Sequence, residues 1–122
     1  MASSCKVLII DDDDDVRESL VSLLHTEGFE TRAAKSGPEA LSILTQDPEP
    51  PDAILLDLLM PSMSGDQFRE LLQRHPQWSK IPVILSSAGP VPEHVGPDVF
   101  AVLHKPFDLD HLLELVKKAC RG

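Results

Sequence analysis

From Ala53 to Leu56 four apolar residues run straight into Asp57, and Pro61 closes the stretch. A proline has no amide proton for a sheet ladder, so a strand has to stop before it. A short, continuous apolar run bounded by turn signals is the pattern of a strand buried on both faces. Residues 6–10, 81–85 and 99–104 repeat the pattern, and each run ends in polar or charged residues. Residues 29–34 read as a weaker strand nearer an edge. Helical spacing fills most of the intervals between strands. Alternating strand and helix argue a parallel sheet covered on both faces, with the strands' carboxyl ends along one edge.

The helix signals are local and specific. Val16, Leu20, Leu23 and Leu24 recur at helical spacing from about Asp14, and Gly28 suits the C′ position. Ser36 and Glu39 form a capping box ahead of Ala40, Leu41 and Leu44. Asp47 and the prolines at 48, 50 and 51 stop that helix. A third helix turns Phe68, Leu71 and Leu72 inward and ends before Pro76. The last helix takes Asp108 as N-cap, with Phe107 and Leu112 as a hydrophobic staple. Residues 89–98 hold three prolines and two glycines, which leaves room for one helical turn at most. Trp78 is expected to pack at the sheet's amino edge. The five histidines lack ligand spacing and read as structural or solvated.

A chain of 122 residues favours a single domain, residues 1–122, with a modest core. Aromatics are only 4%, so Leu, Val, Ile and Ala must build that core. The net charge of −9 speaks against nucleic-acid phosphate as a direct partner and for a cation or a basic protein face. Cys5 and Cys120 sit near opposite ends with no metal-type spacing. They read as reduced thiols of a cytoplasmic protein. No apolar run is long enough to span a membrane, and no signal peptide is visible.

The shared carboxyl edge collects the chemistry. The first strand delivers Asp11 and Asp12, the third Asp57, the fourth Ser87 and the fifth Lys105. Two carboxylates about 4 Å apart repel by roughly 4 kcal/mol at an effective dielectric near 20. Such a cluster requires a cation or raised pKa values. All-oxygen ligands without His or Cys suit Mg²⁺. A carboxylate left over can attack phosphorus and form an acyl phosphate, while a metal, a lysine and a hydroxyl neutralise the phosphoryl oxygens.

Four motifs in order then resemble one family: residues 7–12, Val-Leu-Ile-Ile-Asp-Asp; residues 56–61, Leu-Asp-Leu-Leu-Met-Pro, with Gly65; Ser87-Ala88; and Lys105-Pro106-Phe107. The chain resembles a response regulator receiver domain, the phosphoacceptor of two-component signalling, from about Lys6 to Cys120. The resemblance implies a doubly wound, flavodoxin-like sheet in order 2-1-3-4-5. It implies that Asp57 is the phosphoacceptor. Asp11, Asp12 and Asp57 hold Mg²⁺ together with the backbone carbonyl of Leu59. Ser87 is the switch hydroxyl, with Ser86 as the alternative and Ala88 favouring Ser87. Lys105 contacts the phosphoryl group, and the bond to Pro106 is cis. The donor is a histidine kinase or a histidine phosphotransfer protein, and the domain is a monomer or weak dimer. It is no enzyme beyond weak self-catalysed phosphorylation and dephosphorylation.

Two features depart from the family. Val102 stands where an aromatic switch residue is frequent, and the family's fourth helix falls in residues 89–98, so it is short or missing. A mobile loop there, ordered by phosphorylation, is the expected consequence. A phosphorylation-independent pseudo-receiver is the alternative. An aspartate-nucleophile phosphatase would need an acid two residues beyond Asp57, where Leu59 stands.

Overall fold

The computed structural model describes residues 5–58, 63, 65–89 and 96–121. Five strands, β1 (Lys6–Ile10), β2 (Glu30–Ala34), β3 (Ala53–Asp57), β4 (Val83–Ser87) and β5 (Val99–His104), form one sheet. Its order is β2-β1-β3-β4-β5 and every pairing is parallel. Among the described residues, four helices accompany it: α1 (Asp14–Thr26), α2 (Gly37–Gln46), α3 (Gly65–Gln73) and α4 (Leu109–Arg121). The expectations for the Leu59 carbonyl and for a short or missing helix and loop at residues 90–95 lie outside the described residues. Among the described residues, no helix is long and apolar enough to cross a membrane.

The period-2 alternation of buried strands splits the core in two. Leu8, Ile10, Ile54, Leu56, Val83 and Leu85 pack with Ala40, Leu44, Phe68 and Leu72 of α2 and α3. Val7, Ile9, Ala53, Leu55 and Ile84 pack with Leu20, Leu24, Leu112, Val116 and Ala119 of α1 and α4. Leu71 is only half-buried, so α3 turns Phe68 and Leu72 inward and leaves Leu71 nearer the rim. Trp78 is buried at the amino edge and stacks on His75 with ring centroids 3.8 Å apart. On β5 the register slips between Val83 and Ile84, which inserts Phe100 and leaves it exposed.

The caps follow the sequence with one shift. Asp13 caps α1, its carboxylate accepting from the amides of Asp15 and Val16. Gly28 takes φ +93°, the left-handed C′ conformation that glycine adopts without strain. Ser36 Oγ accepts from the Glu39 amide, but Glu39 reaches back to the amide of Lys35, one residue before the usual box partner. Asp108 accepts from the Asp110 amide at the start of α4.

The reading of the cysteines as reduced thiols is overturned. Cys5 and Cys120 are joined in a disulfide across a sequence separation of 115 residues. Spacing along the chain shows none of this, because the pairing arises only when α4 folds back onto the sheet and brings Cys120 to Cys5, just ahead of β1.

Two ion pairs also tie distant segments. Lys6 Nζ lies 2.8 Å from Asp47 Oδ2 and donates to the Glu49 carbonyl. Arg69 grips Asp98 in a fork, Nε to Oδ2 at 2.8 Å and Nη2 to Oδ1 at 2.9 Å, with side chains 13% and 8% exposed. The hydrogen bond from Arg69 holds the Asp98 carboxyl below its usual pKa, against the opposing effect of burial. A depressed carboxyl stabilises the fold above its unfolded pKa, and that contribution is lost as pH falls through the folded value. Asp98→Asn should therefore cost about 3 kcal/mol at neutral pH and flatten the acid limb of the stability curve below about pH 4. Urea unfolding at several pH values checks this; parallel acid limbs for the two proteins would contradict it.

Candidate functional site

The sheet's order reverses at β1. β2 lies on one side of it and β3 on the other, so the carboxyl ends of β1 and β3 open into a crevice. Asp11 follows β1 and Asp57 ends β3, and both are buried, at 2% and 5% exposure. Asp12, one residue on, is exposed. One carboxylate oxygen from each of Asp11, Asp12 and Asp57 lies within 4.8 Å of the others. The three aspartates thus meet as the sequence predicts.

Lys105 enters from the other side. Its backbone amide donates to the Ser87 carbonyl at 2.8 Å, which extends the β4–β5 pairing by one residue. Its bond to Pro106 is cis. The ammonium donates to Asp11 Oδ2 at 2.9 Å and lies 3.6 Å from Asp57 Oδ2. Burial pulls the lysine's pKa down, but its hydrogen bond to Asp11 and the charges of Asp11 and Asp57 together raise it. Lys105 thus stays charged and partly offsets the repulsion between the two buried carboxylates.

The fourth strand supplies hydroxyls. Ser86 pairs with Asp57, and its carbonyl accepts from the Leu58 amide at 2.9 Å. Ser87 is 1% exposed, and its Oγ accepts from the Gly89 amide at 3.1 Å while lying 3.2 Å from the Gly89 carbonyl. Ser87 Oγ is therefore engaged in the turn that leaves β4.

Two supporting residues were not singled out by the sequence. The Asp13 amide donates to Asp11 Oδ1 at 2.9 Å, and Arg17 Nη1 donates to the Asp11 carbonyl at 2.9 Å. Both hold the β1–α1 turn that presents Asp11 and Asp12. The available signal was position: Arg17 follows the cap residue Asp13 by one helical turn, and its amide bonds the Asp13 carbonyl.

The sequence pattern of the response regulator receiver domain matches residues 7–117. The chain belongs to that family. It is 32% identical to sporulation initiation phosphotransferase F of Bacillus subtilis, over 93% of this chain and 91% of that protein. It is 34% identical to the regulatory protein AtoC of Escherichia coli over 98% of this chain, but it spans only 26% of that protein's length. Among solved structures, chemotaxis protein CheY4 of Vibrio cholerae superposes with a TM-score of 0.85 at 28% identity, covering 96% of this chain and 99% of that one. A receiver domain of this family is the phosphoacceptor component of two-component signalling, which accounts for a carboxylate cluster beside a lysine.

The donor set fits a hard divalent cation. Three carboxylates converge without a histidine or cysteine among them, the all-oxygen pattern that suits Mg²⁺ and not a softer metal.

Proposed function

We propose that Asp57 of this receiver domain takes a phosphoryl group from the phosphohistidine of a histidine kinase or a histidine phosphotransfer protein. The observation that carries the reading is the convergence of Asp11, Asp12, Asp57 and Lys105 at the switch point of the sheet. An Asp57 carboxylate oxygen attacks phosphorus, the P–N bond breaks, and the imidazole leaves and takes up a proton. The product is an acyl phosphate on Asp57. Asp11, Asp12 and Asp57 would hold Mg²⁺, with the Leu59 carbonyl as the ligand that the family pattern adds. When bound, that ion supplies charge neutralisation at the phosphoryl oxygens.

Lys105 bridges Asp11 and Asp57 before phosphorylation, so the new phosphoryl oxygens draw an ammonium already in place. Ser87 exchanges its bond with Gly89 for one to the phosphoryl group. The same two residues thus convert a change of charge at β3 into a change of contacts at β4 and β5. The chain is a phosphoacceptor and turns over no separate substrate, apart from slow self-catalysed loading and hydrolysis. Residues 1–122 act as one domain, as a monomer or weak dimer, on the cytoplasmic side. The net charge of −9 leaves nucleic acid outside its direct partners.

Asp12→Ala removes an exposed cation ligand and leaves the buried pair. It should weaken Mg²⁺ binding by more than about tenfold, since charge count sets affinity at such sites. It should also make the metal-free protein more stable by relieving repulsion. A Mg²⁺ titration followed by amide chemical shifts, with and without beryllium fluoride, tests the reading. Unchanged Mg²⁺ affinity in Asp12→Ala would contradict the metal role. No beryllium fluoride response in the parent protein would favour a pseudo-receiver.

A further inference from the structure

We propose that Cys5 and Cys120 are a reversible thiol–disulfide site, a covalent clamp between β1 and α4 that opens and closes with the redox state of the cell.

The geometry is set by the fold and not by the bond. Cys5 immediately precedes β1, and its carbonyl accepts from the Glu30 amide at 2.9 Å, which fixes it against β2. Cys120 rides on the last turn of α4, whose Val116 and Ala119 are fully buried or nearly so. The two Cα atoms stand 5.9 Å apart, inside the range that a disulfide spans without backbone movement. The same packing should keep the thiols close in the reduced protein. Both cysteines are half-buried, so a small thiol can reach the sulfurs.

The clamp's place gives it a consequence. The segment from Lys105 through α4 is tied to the residues that flank β1 on either side, Asp11 and Cys5. At the carboxyl end the tie is the Lys105–Asp11 ion pair at 2.9 Å. At the amino end it is the disulfide. The first tie is the one a phosphoryl group competes for; the second is indifferent to phosphorylation. With the disulfide closed, α4 can respond only near Lys105. With it open, the last turn of α4 is held by side-chain packing alone, and a displacement at Lys105 can travel along the helix.

This inference rests on the cytoplasmic reading above. In a compartment buffered by glutathione, disulfides are rare, and those that form tend to be transient or redox-sensing. Closure needs a low-molecular-weight disulfide as oxidant. One cysteine thiolate attacks it and releases one thiol, leaving a mixed disulfide. The second cysteine thiolate then attacks that bond and releases the other thiol. Two cysteine thiols lose two electrons and two protons, and the small disulfide becomes two thiols.

The whole protein is equilibrated over a range of reduced-to-oxidised glutathione ratios, alkylated, and weighed intact. Molecules should carry either no label or two, with the midpoint inside the glutathione range. Opening should lower the folding equilibrium constant by about thirtyfold to a thousandfold, the effect of freeing a long loop. It should also speed amide exchange at residues 117–121. Cys5→Ser and Cys120→Ser should each remove the dependence on glutathione. Two labels at every ratio would overturn the proposal, and so would none even in excess reduced glutathione. Beryllium fluoride loading, measured on both redox forms, reports separately on the phosphoacceptor site.

Discussion

Asp57→Asn is expected to abolish phosphoryl labelling while the protein stays folded. Asp57 ends a strand buried along its whole length and is itself 5% exposed. Asparagine keeps its shape but offers no carboxylate oxygen to attack phosphorus. The remaining charges should tolerate the change, because Lys105 keeps its 2.9 Å partner in Asp11. One buried negative charge fewer also lowers repulsion within the cluster, so the thermal midpoint should hold or rise. Labelling with radioactive acetyl phosphate and Mg²⁺, beside a thermal melt, measures both. Equal labelling of the variant would remove Asp57 from its role.

Lys105→Ala should have the second largest effect, and it should separate loading from response. Charge-assisted hydrogen bonds from Lys105 and Ser87 to a phosphoryl group contribute about 1.5–3 kcal/mol each. Together they approach the roughly 5.5 kcal/mol needed to invert a 1:99 equilibrium. Losing the lysine should leave the domain loaded but unswitched. The unloaded state should suffer as well, because Asp11 and Asp57 would face each other without their cation. Stability should then depend more steeply on Mg²⁺ than in the parent protein. The raised pKa of Lys105 fixes the sign of the pH effect: its stabilisation is complete below the unfolded lysine value and is lost as pH rises through the folded one. The parent should therefore lose an increment of stability at alkaline pH that Lys105→Ala lacks. Amide chemical shifts before and after beryllium fluoride test the switch. A full parental response in the variant would contradict the role.

Much of this was legible in the residues because the signals are local. The apolar runs at residues 6–10 and 53–57 each carry the position of an aspartate relative to a strand end. Parallel pairing then brings those ends together whatever the details of packing. The caps at Ser36 and Asp108 were legible for the same reason, since a cap is settled within a few residues. What escaped was long-range. Lys6 meets Asp47 across 41 positions, Arg69 meets Asp98 across 29, and Cys5 meets Cys120 across 115. No periodicity encodes such pairs; they follow from which loops the sheet order brings together. The inward turn of Leu71 was over-read for a related reason. Apolar spacing gives the face of a helix, but the width of the buried stripe depends on what packs against it. Arg17 escaped because its work is done through a backbone carbonyl, and its place one helical turn after Asp13 was the one weak signal the sequence offered.

Asp57 itself should carry the phosphoryl group. Hydride reduction of an aspartyl phosphate leaves homoserine in place of aspartate, and peptide mass spectrometry locates that residue. After incubation with acetyl phosphate and Mg²⁺, homoserine is expected at position 57 alone, and none when Mg²⁺ is chelated. Homoserine at Asp11, Asp12 or another acidic residue, or its absence everywhere, would contradict it.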